Sequence, residues 1–357
     1  MNKLVNYGAT ERYFAEARLY PNMFLARIVS QYSDLYKLVT GEGEGLAEVS
    51  GKFRFATTHI SDYPAVGDFV MVDRENGDQG HMIIHHVLRR KSAFERMAVG
   101  MNDEVQVVAT NIDILFLCMA LNRDYNLNRL ERYLAVAWNS GATPVVVLTK
   151  SDLATDLTAI LSDVTSIALG VDILTTTTMD MESCRKLLPY FKTGVSASFI
   201  GSSGVGKSTL INTLMEKNII ATSHIRQDDK GRHTTTRREL FVLPQGGVVI
   251  DTPGMRELGV ESTDLGKTFA EITELSALCR FHDCTHTTEP GCAVQEAIAN
   301  GALDIRRYES YEKLSRETKY DGLSSRQIEA EKINTMFGGK GNMKAVRDYS
   351  KHKNKRY

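Results

Sequence analysis

The sequence lacks the features that would direct a chain into a membrane or a secretory pathway. Its longest apolar run, residues 112–121, is too short to span a bilayer and contains Asp113. Residues 1–20 carry charges throughout and contain no apolar core segment, so no signal peptide is indicated. We therefore expect a cytoplasmic protein with no membrane partner.

An excess of charge of either sign is also missing. The 43 Lys and Arg residues nearly balance the 44 Asp and Glu residues, so the formal net charge is -1 at pH 7. This balance excludes a globally basic nucleic-acid binder but leaves local basic patches open. No tandem repeat or low-complexity tract is visible. The 357 residues, 42% of them hydrophobic, are sufficient for two or three domains.

Cysteine is scarce and unevenly distributed. The chain has only five cysteines, and three of them, Cys279, Cys284 and Cys292, lie close together. In a cytoplasmic chain such a cluster favours a metal site over disulfides. The alternative is a group of reduced, buried cysteines.

Residues 22–98 have the pattern of a small all-β domain. Short alternating runs occur at residues 24–29, 35–39 and 68–72. Turns rich in glycine and aspartate separate them, which predicts a small barrel, and an oligonucleotide/oligosaccharide-binding (OB) barrel is one candidate. The basic stretch at residues 89–91, with Arg96 nearby, is either a solvated strand end or an RNA contact.

Buried strands alternate with helices from about residue 105. Residues 112–119 and 144–148 are continuous apolar strands, and residues 127–139 have helical spacing. This alternation predicts a parallel sheet that is covered on both faces.

The second of these strands leads into a four-residue motif that resembles the guanine-specificity motif of GTPases. The motif is Thr149, Lys150, Ser151 and Asp152. The carboxylate of Asp152 can accept hydrogen bonds from guanine N1–H and from the exocyclic amine, and adenine has no such pair of donors. The stem of Lys150 can cover the base. Alone, these four residues carry little weight, because a helix cap of this composition is common.

The centre of the chain holds a phosphate-binding pattern. A predicted strand at residues 196–200 precedes Gly-x-x-x-x-Gly-Lys-[Ser/Thr], and a predicted helix at residues 210–215 follows it. The glycines let consecutive N–H groups face one point, and the helix N-terminus favours an anion. Lys207 can reach the β- and γ-phosphates, and Ser208 can ligate Mg²⁺. The alternative is a Gly/Ser turn followed by a lysine. The residues expected to bind GTP here are Gly201, Ser202, Ser203, Gly204, Val205, Gly206, Lys207, Ser208 and Thr209.

Two later segments fit the switch regions of GTPases. Residues 228–238 are rich in Arg, Lys and Gly, and Thr235 or Thr236 within them can ligate Mg²⁺ when the γ-phosphate is present. A strand at residues 246–250 then ends in Asp-x-x-Gly, where Asp251 can hold the magnesium hydration shell and the Gly254 N–H can reach the γ-phosphate.

A water-orienting glutamine is missing after the second switch motif. Many GTPases have glutamine there, but this chain has Met255, which cannot orient a water molecule. His233, just ahead of the switch threonines, is the nearest flexible polar group, and we expect it to position the attacking water. The alternative is an ordinary surface histidine.

The order of the motifs differs from that of ordinary GTPases, because the base motif comes before the phosphate loop. This order indicates a circular permutation. The chain resembles the ribosome small subunit-dependent GTPase A family. The resemblance rests on this permuted order, on the Gly-Arg-His-Thr-Thr-Thr run that begins at Gly231 and on the spacing Cys-x4-Cys-x-His-x5-Cys from Cys279. Departures are Thr149 in place of asparagine and a weak Thr175-Thr176 match to the next guanine-contacting turn.

The resemblance implies the architecture of the chain. An OB-like β-barrel is expected at residues 22–98, after an extension at 1–21. A circularly permuted α/β P-loop GTPase domain follows at 99–262, then a mainly helical zinc domain at 263–335 and a basic tail at 336–357. Three thiolates and one imidazole make a closed, structural Zn²⁺ site. The family spacing favours His286 over His282, so the expected ligands are Cys279, Cys284, His286 and Cys292.

The resemblance also implies the function. The first hypothesis is a GTP hydrolase, a switch in late maturation of the small ribosomal subunit that binds this subunit and its rRNA and is stimulated by it. The second is an RNA-binding scaffold that uses GTP only to set its affinity. An ATP-dependent kinase or ATPase is disfavoured by Asp152. We expect a monomer.

Overall fold

A computed structural model of the chain describes residues 3–32, 34–78, 80–97, 105–217, 219–220, 238–251 and 265–319.

The fold begins with two short helices, α1 (Lys3–Asn6) and α2 (Glu11–Ala17). The Tyr13 ring stacks on Phe69 with centroids 3.8 Å apart, and its hydroxyl donates to Asn111 Oδ1 at 3.0 Å. Because Tyr13 is buried, this N-terminal segment contributes to the core of the barrel that follows it.

The barrel consists of five short strands. They are β1 (Phe24–Gln31), β2 (Tyr36–Val39), β3 (Glu44–Val49), β4 (Phe69–Val72) and β5 (Met82–Val87), with helix α3 (Gly51–Ala56) between β3 and β4. The strands pair in the order β1-β2-β3-β5-β4, and β4 pairs back with β1. The sheet therefore closes on itself, which confirms the predicted small barrel.

An α/β unit follows. Its first elements are β6 (Ala93–Met97), β7 (Val105–Thr110), β8 (Ile114–Ala120), α4 (Leu127–Ser140), β9 (Thr143–Thr149), α5 (Leu157–Ile167) and β10 (Asp172–Thr175). It continues with α6 (Met181–Arg185), β11 (Ser196–Ile200), α7 (Lys207–Leu214), β12 (Glu239–Val242) and β13 (Val248–Asp251). β6 and β7 form a separate antiparallel pair that spans the expected domain boundary at residue 98.

The main sheet of this unit is parallel apart from one strand. Its order is β10-β9-β8-β11-β13-β12, and among the strands that the structure describes only β12 runs antiparallel to its neighbour in this unit. All five residues of β11 are buried, as are most of β8 and β9, as expected for strands covered on both faces. The alternation of apolar strands and helices in the sequence therefore predicted this layer correctly.

The barrel and the α/β sheet are joined through a strand pair. β1 has a bulge between Ile28 and Ser30, and beyond it Ser30 pairs with Glu239 of β12. A bulge bends its strand and increases the local twist. Beyond the bulge β1 still pairs with β2 of the barrel on one side, through Ser30 and Gln31, and pairs with β12 on the other, so it belongs to both sheets.

A buried arginine closes the contact between the two sheets. Arg27 of β1 is fully buried, and its Nη2 donates to Ser196 Oγ at 2.9 Å at the start of β11. The guanidinium also donates to the carbonyls of Tyr7 and Gly67 and lies 4.7 Å from the Phe69 ring centroid. Burial lowers the pKa of Arg27 to about 10.

The basic stretch after β5 forms contacts inside the fold. Arg90 donates from two nitrogens to the buried Asp68, at 2.9 and 2.8 Å, and also to two backbone carbonyls. Lys91 forms an ion pair with Asp113. Arg90 and Lys91 are therefore paired with carboxylates inside the fold, whereas Arg89 is exposed.

The C-terminal unit is helical. It comprises α8 (Ala270–Ala277), α9 (Ala293–Ala299) and α10 (Ile305–Lys319), packed around Phe269 and Ile272. Ala135 of α4 belongs to the same apolar cluster, so this unit packs on the α/β unit. No helix in the described ranges is long and apolar enough to cross a membrane.

Candidate nucleotide site and metal centre

The predicted nucleotide motifs lie at one edge of the parallel sheet. The phosphate loop follows β11, residues 149–152 follow β9, and Asp251 ends β13. β11 pairs in parallel with β8 and β13, and β9 pairs in parallel with β8. Parallel strands place their carboxyl ends at the same edge, where open α/β sheets bind ligands. Motifs that are permuted in the sequence therefore come together in space.

The phosphate loop has backbone geometry that requires glycine. A Cβ on Gly201 would lie 2.5 Å from the carbonyl oxygen of Cys118, and Gly206 has a φ of 105° directly before α7. α7 begins at Lys207, so the N-terminus of this helix opens onto the loop. The Lys207 ammonium donates to the carbonyls of Gly201 and Ser202 at 2.6 and 2.7 Å. Ser203 and Gly204 are exposed at the tip of the loop.

Thr149 connects the base motif to the phosphate loop. Its side chain is buried, and its Oγ1 donates to the carbonyl of Val205 at 2.6 Å. The threonine that replaces the usual asparagine therefore supports the phosphate loop from the neighbouring motif.

Asp152 lies in the exposed turn after β9. Its Oδ1 accepts a hydrogen bond from the Thr177 hydroxyl. The Ser151 N–H donates to the Thr176 carbonyl at 3.1 Å, which ties this turn to the end of β10. The turn that contains Asp152 is thus held by the backbone of Thr176 and the side chain of Thr177. The sequence had suggested Thr175 and Thr176 as the guanine-contacting turn. Lys150 has a φ of 54°, in the left-handed region.

Arg129 is a contact of the phosphate loop that sequence reasoning missed. It lies in the first turn of α4, where Asn126 caps the helix by accepting from the Arg129 N–H at 2.9 Å. Its Nη1 donates to Ser202 Oγ at 2.5 Å and to Asp124 Oδ1 at 2.7 Å. The helix was predicted, but the distance to Ser202 depends on how α4 packs.

The residues expected to bind magnesium are only partly described. Ser208 is half-buried in the first turn of α7, and Asp251 is half-buried at the end of the adjacent strand β13. Oxygen atoms of this kind are the ligands that Mg²⁺ prefers. His233, Thr235, Thr236, Gly254 and Met255 lie outside the described residues.

Cys279, Cys284, His286 and Cys292 converge in the C-terminal unit. Their ligand atoms all lie within 4.8 Å of one another. Cys279 Sγ is 3.9 Å from Cys292 Sγ, and His286 Nδ1 is 3.6 Å from the first sulfur and 3.4 Å from the second. Tetrahedral Zn²⁺ with Zn–S bonds of about 2.3 Å requires sulfur atoms roughly 3.8 Å apart. The four residues therefore fit a closed tetrahedral metal site.

The surroundings of His286 orient its ring and backbone for this role. Nε2 lies 3.0 Å from Ser276 Oγ, while Nδ1 faces the thiols. The His286 carbonyl accepts from Gln295 Nε2 at 2.6 Å and from the Tyr308 hydroxyl at 3.1 Å. A hydrogen bond on the second ring nitrogen is the usual way in which a metal-binding histidine is fixed.

Comparisons with known proteins agree with this geometry. The family model described as RsgA GTPase matches residues 87–261. The "Small ribosomal subunit biogenesis GTPase RsgA 2" of Lactiplantibacillus plantarum is 48% identical over 345 residues, which cover 96% of this chain and 97% of that protein. "Small ribosomal subunit biogenesis GTPase RsgA 1" of Listeria innocua is 44% identical and covers 89% of this chain and 90% of its own.

Solved structures show the same fold. The crystal structure of YjeQ from Thermotoga maritima is 28% identical with a TM-score of 0.60, covering 83% of this chain and 98% of its own. YloQ, described as a circularly permuted GTPase, is 24% identical with a TM-score of 0.59, covering 84% and 96%. The second likeness bears on the fold alone. Because the bacterial relatives are similar along nearly the whole chain, this protein belongs to the RsgA GTPase family.

Proposed function

We propose that this GTPase acts as a switch in late maturation of the small ribosomal subunit, and that the subunit stimulates its GTP hydrolysis. The observation that carries this proposal is the 48% identity with a protein named as a small ribosomal subunit biogenesis GTPase, across 96% of the chain. The matched length includes the barrel, the nucleotide site and the Cys3His cluster.

We assign the nucleotide contacts to the motifs that lie at the carboxyl edge of the parallel sheet. Asp152, oriented by Thr177, accepts from guanine N1–H and from the exocyclic amine. The stem of Lys150 covers the base, beside Ser151. The loop at residues 201–206 surrounds the phosphates with backbone N–H groups, and Lys207 supplies a full positive charge. Thr209, in the first turn of α7, is the last of the residues that we expect to bind GTP in this loop.

Hydrolysis requires a metal ion and an oriented water molecule. Mg²⁺ held by Ser208 and Asp251, joined by Thr235 or Thr236, would neutralise charge on the β- and γ-phosphates. We assign to His233 the positioning of water for attack on the γ-phosphorus, since Met255 cannot do so. The bond between the γ-phosphorus and the bridging oxygen then breaks, which gives GDP and phosphate. Gly254 supplies an N–H group to the γ-phosphate.

One structural Zn²⁺ at Cys279, Cys284, His286 and Cys292 completes the C-terminal unit in this proposal. Four protein ligands leave no open position for a water molecule, so the ion would organise the fold without taking part in hydrolysis. The division into domains at residues 22, 99 and 263 remains a prediction, as does a monomeric, cytoplasmic protein.

We propose that the barrel contacts rRNA and that the zinc-binding helical unit carries part of the contact with the subunit. On α3 the Lys52 and Arg54 side chains are exposed, and Phe55, which follows Arg54, is 94% exposed. A groove of about 610 Å³ lies beside this helix and is lined by His85 and His86. Basic groups that hold the backbone, with an aromatic ring for base stacking, are the usual features of single-stranded RNA sites.

The test is GTP turnover with separated ribosomal subunits. Turnover that rises with small but not with large subunits, and that Lys207→Ala abolishes, is the expected result. If the protein binds small subunits in a GTP-dependent way but its turnover is unchanged by them, the protein is instead a scaffold whose RNA affinity is set by GTP.

A further inference from the structure

Helix α4 touches both the phosphate loop and the C-terminal unit. Towards the loop it presents Arg129, whose Nη1 donates to Ser202 Oγ at 2.5 Å. The loop residue Ser202 is therefore held by a side chain of α4.

The opposite side of α4 holds helix α10, since residues two apart, such as Arg129 and Glu131, lie about 200° apart around a helix. Glu131 Oε1 accepts from Arg307 Nη1 at 2.8 Å and from Arg306 Nη1 at 3.3 Å. Arg132 forms an ion pair with Glu317 at 2.7 Å. Glu131, two residues from Arg129, is thus the centre of a buried ion cluster between the two units.

The cluster fixes the geometry of docking. Glu131 is fully buried, and its Oε2 has no hydrogen-bond partner among the described residues. Arg307 is nearly as buried, and it also bonds Glu271 Oε1 at 2.6 Å and covers the Phe269 ring at 4.2 Å. Buried ion pairs are weak sources of stability but can specify one arrangement of two packed elements. A shift of α10 would therefore require α4 to move or Glu131 to lose its partner.

We infer that Arg129 is a positioning residue of the nucleotide site, and that docking of the C-terminal unit through Glu131 and Arg307 sets its position. With α10 docked, Arg129 holds Ser202 and the phosphate loop keeps the shape that binds GTP. Without docking, α4 relaxes and the affinity for GTP falls. By linkage, bound GTP strengthens docking by the same factor. The inference goes beyond the ribosomal role and depends only on nucleotide binding at the loop.

The first test compares nucleotide affinity in variants of the full chain loaded with zinc. Arg307→Met alone would leave the buried Glu131 carboxylate with only the longer contact to Arg306, so the variant used is Glu131→Gln with Arg307→Met, which removes both buried charges. The two charged groups that lose a partner, Arg306 and Glu271, are each about one-third exposed and remain hydrated. The dissociation constant of a non-hydrolysable GTP analogue should rise about fivefold or more, the lower end of usual allosteric coupling. Arg316→Met, at an exposed ion pair of the same helix, is the matched control and should bind like wild type.

A combination of variants tests the route. Arg129→Met should weaken the analogue to a similar extent, and adding Glu131→Gln and Arg307→Met to it should cause little further loss, because both changes interrupt one connection. Losses that add fully would mean that the two sites act independently, and wild-type affinity in the Glu131→Gln, Arg307→Met variant would overturn the inference outright.

Hydrogen exchange separates positioning from general stabilisation. At saturating analogue, the amides of α10 should exchange more slowly than without nucleotide in the wild type. In Arg129→Met at equal occupancy, the protection should persist in α7 and be lost in α10. Equal protection of α10 in both proteins would show that the nucleotide does not act through Arg129.

Discussion

Replacing Asp152 with asparagine should change the base that the protein binds. In the structure the Thr177 hydroxyl donates to one carboxylate oxygen of Asp152. In the variant the same hydroxyl can hold the amide oxygen, which leaves the NH2 group for the base. That group opposes the N–H donors of guanine, but it can donate to the 2-carbonyl of xanthine. The affinity should therefore fall for GTP and rise for xanthosine triphosphate.

The magnitude follows from two hydrogen bonds to a charged group. Each contributes about 1.5–3 kcal/mol, so the loss of both corresponds to roughly a hundredfold or more in affinity. Asp152 is exposed in its turn, so water competes for both bonds and reduces this figure. We expect a loss of GTP affinity of at least about tenfold, the equivalent of about 1.4 kcal/mol.

The assay is a titration with fluorescent guanosine and xanthosine nucleotides. Asp156→Asn is the matched control, because it makes the same chemical change nearby, where Asp156 caps α5 by accepting from the Ala159 N–H at 2.9 Å. Asparagine caps a helix as well as aspartate does, so the control should keep its preference for GTP. Unchanged GTP affinity in Asp152→Asn would refute the assignment of the base contact.

Three further changes test other parts of the site. Thr149→Val leaves the Val205 carbonyl without its hydrogen bond and should lower the free energy of unfolding by about 1–3 kcal/mol in urea titrations, while Thr149→Ser should not. Cys284→Ser should lower the zinc content below one equivalent in metal analysis and destabilise helices α8–α10, because zinc binding and local folding are linked. The variant should then lose co-sedimentation with small subunits in the GTP state, and full co-sedimentation would contradict this expectation. His233→Ala should nearly keep its GTP affinity but lose about tenfold or more of subunit-stimulated turnover; wild-type turnover would exclude His233.

Elements whose position is decided by neighbouring residues in the chain could be predicted from the sequence. The strand before the phosphate loop was predicted at residues 196–200 and is found there, because the phosphate-binding pattern that follows these residues requires a strand at this place. The helix predicted at residues 127–139 is α4, with Asn126 as its cap and Gly141 after its end. For both elements, residues close by in the sequence determine where the element begins and ends.

Contacts that depend on packing could not be predicted. Arg27 stands in an apolar strand pattern, and sequence patterns place arginine at the surface, yet it is buried against β11. Thr177, one residue beyond the suggested pair, reaches Asp152 because the path of the loop after β10 decides the distance. Arg129 and Glu131 occupy a correctly predicted helix, but only the tertiary arrangement shows their partners.

The pairing of β1 with β12 constrains the order in which the chain folds during synthesis. Ser30 Oγ donates to the carbonyl of Arg238, which is 208 residues later in the chain. At the usual 5–20 residues per second, the completed part of β1 waits roughly 10–40 s for this partner. Until β11 is made, the charged Arg27 lacks the Ser196 hydroxyl, and the edge of β1 that pairs with β12 stays open. Inward-pointing charges are a known defence of exposed strand edges, so Arg27 should keep newly made barrels from joining one another until β11 arrives.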